Sequence, residues 1–152
     1  MSKRKIFIGA DSAGYLLKEE IKKHIAELGY DVTDFGTDSE ASCHYPIFAK
    51  TVCEAVQKNP DSSFGILICG TGIGMSMCAN KHNGVRAAVC SDTFSAKMTR
   101  RHNDANVLCI GARVVGSCLA EDIVDIFLEN EFEGGRHKTR VDMMSEIEQN
   151  QK

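Results

Sequence analysis

The sequence lacks the features of a membrane, secreted or zinc-binding protein. Its seven cysteines include no C-x-x-C pair, which argues against a disulfide framework or a zinc site and fits a reducing compartment. Its apolar runs are too short to cross a bilayer. The start, MSKRKIFIGAD, has no long apolar segment of the kind found in signal peptides. We therefore expect a cytoplasmic protein with no membrane partner.

The chain also has no excess of basic over acidic residues and no linker-like segment that would indicate a domain boundary. Its 18 Lys and Arg residues are outnumbered by 21 Asp and Glu residues, so electrostatics give no support to a nucleic-acid partner. It contains 2 prolines, no repeat and no low-complexity tract. With 43% hydrophobic residues, its composition is that of a globular protein. We predict a single domain over residues 1–152.

What is present is an alternation of short β-rich runs and longer amphipathic segments. Strands are predicted at 5–11, 30–36, 64–70, 85–92 and 106–112, and helices at 15–28, 46–58, 75–81, 93–101, 115–132 and 136–149. The third strand, FGILICG, is apolar along its length, as expected for a strand covered on both faces. This alternation predicts an α/β fold. We expect a three-layer Rossmann-like (flavodoxin-like) sandwich with a five-stranded parallel sheet and a C-terminal helix.

Ligands in such folds bind beyond the carboxyl ends of the strands. The residues at those ends are Asp11, Ser12, the loop 69–74, Ser91, Asp92 and the segment 111–113. The loop belongs to the stretch ILICGTGIGMSMC, which has glycines at 70, 72 and 74. Its G-x-G-x-G spacing after the third strand fits neither a dinucleotide fingerprint nor a P-loop. It is either an anion-binding loop at a helix N-terminus or a tight strand-to-helix turn.

Two residues near these ends are candidates for proton transfer. Cys69 precedes the glycine loop, and a helix N-terminus favours the thiolate form of a nearby cysteine. The alternative is a small apolar core residue, as expected for the other six cysteines. His102, in RRHNDAN, belongs to the residue type best suited to proton transfer at neutral pH. Its alternative is a surface histidine at a helix C-terminus.

The segment EGGRHKTR is a basic cluster in an acidic chain. Arg136 and Arg140 are four residues apart and share one helix face. Two guanidinium groups on one face suit a phosphate group. The alternative is a solvated first helical turn, although cations there oppose the helix dipole.

These motifs together resemble the ribose-5-phosphate isomerase B family, which includes the galactose-6-phosphate isomerase subunits. The resemblance rests on GILICGTGIG, ANKHNGVRAAVC, TRRHNDANV, GARVVG and EGGRHKTRV, in order and at the family's spacing, and it covers nearly the whole chain. It implies an aldose–ketose isomerase with no metal or organic cofactor. It also implies a homo-oligomer, dimeric or tetrameric, with active sites at the subunit interface. The leading prediction is interconversion of ribose 5-phosphate and ribulose 5-phosphate through an enediolate.

The resemblance also assigns roles to individual residues. Cys69 is the base that moves a proton between C1 and C2, Thr71 helps to stabilise the enediolate, and His102 helps to open the sugar ring. The implied substrate-binding residues are Asp11, Ser12, Tyr45, Gly70, Gly72, Gly74, Asn103, Arg113, Arg136, His137 and Arg140. Among these, the glycine amides stabilise the enediolate and the arginines hold the phosphate. Arg136 and Arg140 are expected to reach across from the partner subunit.

The chain departs from the family pattern at two positions. Ser12 stands where a histidine is common, and His44 stands where an aspartate is common. These differences leave open another phosphosugar, such as allose 6-phosphate, galactose 6-phosphate or a tetrose phosphate. A non-catalytic sugar-phosphate-binding protein is a second alternative. A thiol redox protein is a third, although it would be expected to have a resolving cysteine in a C-x-x-C pair.

Overall fold

The fold is built on one parallel sheet. In the computed structural model, which describes residues 2–151, five strands pair in the order β2-β1-β3-β5-β4. They are β1 (Lys5–Ala10), β2 (Val32–Asp34), β3 (Ser63–Cys69), β4 (Ala87–Val89) and β5 (Val107–Gly111). The predicted parallel sandwich is confirmed. Its last two strands are exchanged relative to the 2-1-3-4-5 order of flavodoxin-like sheets, so β5 lies inside the sheet and β4 at its edge.

Helices cover both faces of the sheet. Within the described range they are α1 (Tyr15–Glu27), α2 (Tyr45–Lys58), α3 (Ile73–Ala79), α4 (Thr93–Asn103), α5 (Ser117–Glu129) and α6 (Arg136–Gln149). Buried residues of α1, α4 and α5 form one core against the sheet, and those of α2 and α3 form the other. Parallel strands are joined by right-handed crossovers. The face that each of α1 to α4 covers therefore follows from the direction in which the chain moves along the sheet.

Strand β3 lies at the centre and is buried along its whole length. It pairs with β1 on one side and β5 on the other, with Ala10 opposite Ile68 and Cys69 opposite Gly111. Both faces of the strand are covered by helices, which requires the continuous apolar run seen in the sequence. Because the three strands are parallel, the residues that follow them meet at one edge of the sheet, called here the carboxyl edge.

The predicted boundaries differ from the observed ones mainly at the edge of the sheet. The fourth strand was predicted over 85–92 but pairs only over Ala87–Val89. An edge strand has one neighbour, here β5, and beyond the paired residues only the backbones of Arg86 and Cys90 are hydrogen-bonded toward it within the described range. Helix α5 spans Ser117–Glu129 rather than 115–132, because the backbone is extended at Gly116 and at Asn130.

The C-terminal helix α6 packs against α4. Its buried residues are His137 and Val141, whereas Met143, Met144 and Ile147 are exposed. The helix is therefore attached mainly by its first half. No helix within residues 2–151 is long and apolar enough to cross a membrane.

A buried arginine fastens the C-terminal end of α4. Arg100 is 1% exposed and donates from Nη1 to Asp104 Oδ1 at 2.9 Å and to the Ala105 carbonyl at 2.6 Å. Its Nε donates to the Asn130 carbonyl at 3.3 Å. The guanidinium also lies over the Phe64 ring, 4.6 Å from the ring centroid. These contacts fix the position of His102, two residues later.

We expect Arg100→Met to lower the free energy of unfolding by about 3 kcal/mol, because it leaves buried carbonyl oxygens and part of an ion pair without a donor. Denaturant unfolding at a fixed protein concentration measures the change. Lys97→Met, at an exposed position of the same helix, is the matched control and should change stability by less than about 0.5 kcal/mol. Equal effects of the two substitutions would contradict the anchoring role of Arg100.

Candidate active site

The thiol of Cys69 lies where β3 turns into α3. The residue is 4% exposed, and the backbone N–H of Gly72 donates to its Sγ at 3.1 Å. Gly72 has φ of +79°, a backbone conformation that glycine adopts without strain. A Cβ there would also lie 2.9 Å from Val89 Cγ2. Glycine at this position therefore allows the sharp turn that directs an amide donor at the sulfur.

The loop after β5 is hydrogen-bonded to the glycine loop through the backbone. Ala112 N–H donates to the Cys69 carbonyl at 2.8 Å, and Arg113 N–H donates to the Gly70 carbonyl at 3.0 Å. A Cβ on Gly111 would lie 2.5 Å from the Thr71 carbonyl oxygen, so the two loops pack backbone against backbone. A Cβ on Gly70 would lie 3.5 Å from Arg113 Nη1. The exposed Arg113 thus places a cation beside the glycine loop.

The loop after β1 forms the other wall. The backbone N–H of Asp11 donates to the Ile68 carbonyl at 3.2 Å, and its Oδ1 accepts from Gly14 N–H at 3.0 Å. A Cβ on Gly14 would lie 2.3 Å from the Ile68 carbonyl oxygen, so the start of α1 rests directly on β3. Ser12 follows, partly buried. The Asp11 carboxylate is thereby fixed next to the strand that ends in Cys69.

Tyr45 closes the site from the start of α2. Its ring packs on the first turn of α3, where a Cβ on Gly74 would lie 2.7 Å from Tyr45 Cζ. Thr71 is exposed, and its Oγ1 accepts from Ile73 N–H at 3.2 Å. Gly74 therefore makes room for the tyrosine ring. The residues gathered at this edge, called here the thiol cluster, are Asp11, Ser12, Tyr45, Cys69, Gly70, Thr71, Gly72, Gly74 and Arg113.

A second group, called here the histidine cluster, forms where α4 meets α6. It consists of Arg101, His102, Glu133 and His137. The imidazoles of His102 and His137 are stacked, with ring centroids 4.0 Å apart and planes 6° apart. The Oε2 atom of Glu133 lies 3.5 Å from His137 Nε2 and 3.9 Å from His102 Nε2. Arg101 binds the other carboxylate oxygen at 2.5 Å.

The charges around the histidine cluster are mostly positive. Burial, followed by the positive charges of His102, Arg136 and Arg140, lowers the pKa of His137, and the Glu133 carboxylate opposes that shift. His102, Glu133 and His137 offer three possible metal-ligand atoms within 4.8 Å of one another. However, Arg101 already occupies one of the Glu133 oxygens, and two further guanidinium groups are near. These charges suit an anion better than a cation.

The two clusters lie at opposite edges of the sheet. Helix α4 starts at Thr93, next to the carboxyl edge, and ends at Asn103, just before β5 begins. Its 11 residues span about 16 Å. His102, Asn103, Arg136, His137 and Arg140 therefore lie away from Cys69 of the same chain.

A family model described as Ribose/Galactose Isomerase matches residues 6–144. The chain belongs to the ribose/galactose isomerase family. The family resemblance predicted from the motifs is thus confirmed. Ribose-5-phosphate isomerase B of Escherichia coli K12 is 49% identical over 96% of this chain and 97% of its own length.

Two further family members bear on the site. The structure of Clostridium thermocellum ribose-5-phosphate isomerase B superposes with a TM-score of 0.95 at 52% identity, covering 97% of this chain and 99% of that one. The D-erythrulose-4-phosphate isomerase of Pectobacterium atrosepticum is 44% identical over 97% of each chain. One fold in this family therefore carries enzymes named for different phosphosugars.

Two residues of the histidine cluster were not predicted to belong to a functional site. Glu133 lies in the family motif EGGRHKTRV, directly before the glycine pair, but only the basic residues that follow it drew attention. Arg101 is adjacent to His102 and reads as an ordinary surface residue from the sequence. Their association depends on the contact between α4 and the loop before α6, where Glu133 N–H donates to the Arg101 carbonyl at 3.0 Å.

Proposed function

We propose that this chain interconverts ribose 5-phosphate and ribulose 5-phosphate, with Cys69 as the base. Membership of the family makes the chain a sugar-phosphate isomerase. The observation that carries the finer proposal is the Cys69 thiol itself. It ends the central strand with an amide donor 3.1 Å from its sulfur, between the Asp11 and Arg113 loops.

The chemistry requires a base and nearby hydrogen-bond donors. Removing a proton from the carbon next to a carbonyl leaves negative charge on oxygen, and donors fixed where that charge develops provide the largest catalytic effect. Cys69 takes the proton from one carbon and returns it to the next. Thr71 and the amides of the glycine loop stabilise the enediolate. The Gly72 amide is directed at the sulfur, so it stabilises the charge of the base before proton transfer.

Ring opening is needed only for the aldose. Ribose 5-phosphate closes through its C4 hydroxyl onto C1, whereas ribulose 5-phosphate stays open because its O5 carries the phosphate. In our proposal His102 gives a proton to the ring oxygen while the C1–O bond breaks, and the C1 hydroxyl gives its proton to Asp11. The aldehyde that results is the substrate for Cys69.

We also propose that each site is shared by two copies of the chain. His102, Asn103, Arg136 and Arg140 lie at the edge opposite their own Cys69, so they serve the site of a partner protomer. An apolar surface beside the glycine loop supports this assembly, because isolated monomers rarely expose such patches. It is formed by α3, the end of β4 and the first turn of α4, where Ile73, Met77, Val89 and Phe94 are 53%, 63%, 43% and 70% exposed.

A tetrose phosphate is the second candidate substrate. It is favoured by the relative named D-erythrulose-4-phosphate isomerase, 44% identical over 97% of the chain. It is also favoured by Ser12, which replaces a larger side chain common in the family next to Asp11. A changed side chain at that position would alter which sugar length fits between the thiol and the phosphate-binding arginines.

A panel of phosphosugars tests the proposal. We expect ribose 5-phosphate to have a kcat/KM at least about tenfold above those of allose 6-phosphate, galactose 6-phosphate and erythrose 4-phosphate, since one misplaced carbon costs roughly that factor. Faster turnover of any other sugar would overturn the pentose assignment. Binding of all four without turnover would instead support the non-catalytic alternative.

A further inference from the structure

The Glu133 carboxylate lies at the centre of the histidine cluster. Its backbone N–H donates to the Arg101 carbonyl at 3.0 Å, and its Oε1 binds the Arg101 guanidinium at 2.5 Å. Both contacts fix the side chain to the last turn of α4. Its free oxygen, Oε2, faces Nε2 of His137 at 3.5 Å and Nε2 of His102 at 3.9 Å.

The two histidines differ in exposure. The His137 side chain is 8% exposed, whereas that of His102 is 37% exposed, so His102 is the ring that can meet a substrate. Burial lowers the pKa of His137, which favours the neutral form of this inner ring. A positive charge on the outer ring then has one anionic group beside it in the cluster, the Glu133 carboxylate.

We propose that Glu133 is a positioning residue for His102. This inference rests on the proposed function, in which His102 donates a proton to the ring oxygen of the aldose. Glu133 holds the His102 ring against His137 and balances its positive charge until the proton leaves. No covalent step involves Glu133 itself: the carboxylate stays ionised while the imidazolium becomes neutral and the sugar ring opens.

Two assays separate ring opening from proton transfer. Turnover of ribose 5-phosphate requires both steps, whereas exchange of the C1 hydrogen of ribulose 5-phosphate with deuterium from D2O requires only enolisation at Cys69. For Glu133→Gln we expect kcat with ribose 5-phosphate to fall roughly 10- to 100-fold. The exchange rate, followed by NMR, should stay within about twofold of the unmodified enzyme.

Three further variants complete the test. Glu131→Gln removes an exposed carboxylate two residues away in the same loop and should change neither rate. Glu133→Asp keeps the charge and should retain more turnover than Glu133→Gln. His102→Asn should show the same selective loss as Glu133→Gln, and a larger one.

Each contrary result has a distinct meaning. If Glu133→Gln lowers turnover and exchange equally, or changes neither, the positioning role is wrong while the proposed function stands. If His102→Asn fails to lower ribose 5-phosphate turnover selectively, the proposed ring-opening role is wrong and the inference about Glu133 falls with it. Circular dichroism and size-exclusion chromatography of each variant show whether the fold and assembly are unchanged.

Discussion

Replacing Cys69 by alanine is expected to lower kcat for ribose 5-phosphate by roughly 10²- to 10⁴-fold, the contribution typical of a positioned general base. The same substitution should abolish deuterium exchange at C1 of ribulose 5-phosphate, because no other group would take that proton. Substrate affinity should change little, since in our proposal the arginine side chains, and not the thiol, bind the phosphate. Turnover, NMR exchange and isothermal titration calorimetry measure the three quantities.

Cysteine variants elsewhere provide the control for this experiment. Cys118 is exposed at the start of α5, and Cys118→Ala should keep full turnover. Cys69→Ser keeps the shape of the side chain but replaces the thiol with a much weaker acid, and it should resemble Cys69→Ala. If Cys69→Ala retains more than about a tenth of the activity, the thiol is not the general base.

Mixing two inactive variants is expected to restore activity. If Cys69 of one protomer works with His102 of another, a pair made of Cys69→Ala and His102→Asn chains contains one intact site and one doubly defective site. Random reassociation of equal amounts makes about half of the pairs mixed. Because one of the two sites in each mixed pair is intact, about a quarter of the unmodified activity should appear. Ribose 5-phosphate turnover after dissociation and reassociation of the mixture measures it.

The matched control is each variant dissociated and reassociated alone. Its turnover of ribose 5-phosphate should not increase. Native mass spectrometry establishes that mixed oligomers have formed. Mixed oligomers without any gain in turnover would exclude a site shared in this way. A monomer in solution would also exclude it.

The sequence predicted the fold well because its signals are local. Continuous apolar character marked β3, and helical spacing of apolar residues marked α1 and α2, in agreement with the structure. The prediction was poorest at β4, whose length depends on having a single neighbour in the sheet. Pairing of that kind is a property of the assembled sheet, and the residues of the strand do not encode it.

The sequence alone located the glycine loop, the thiol at its head and the family. These follow from residue type, spacing and position after a strand, all of which are visible within a short segment. The residues now placed in the thiol cluster were all among those expected at the site. What those patterns could not give was the direction of the Gly72 amide, which the backbone turn aims at the Cys69 sulfur.

Tertiary structure decided how the predicted site residues are divided between the thiol cluster and the histidine cluster. Helix α4 runs back along the sheet, so His102 ends at the edge opposite Cys69, where α6 brings His137 and the loop before α6 brings Glu133 to it. No sequence spacing contains that information, because it depends on strand order and on contacts between segments distant in the chain. The sequence determined which groups this isomerase has, and the fold determined that they form two separate clusters in the chain.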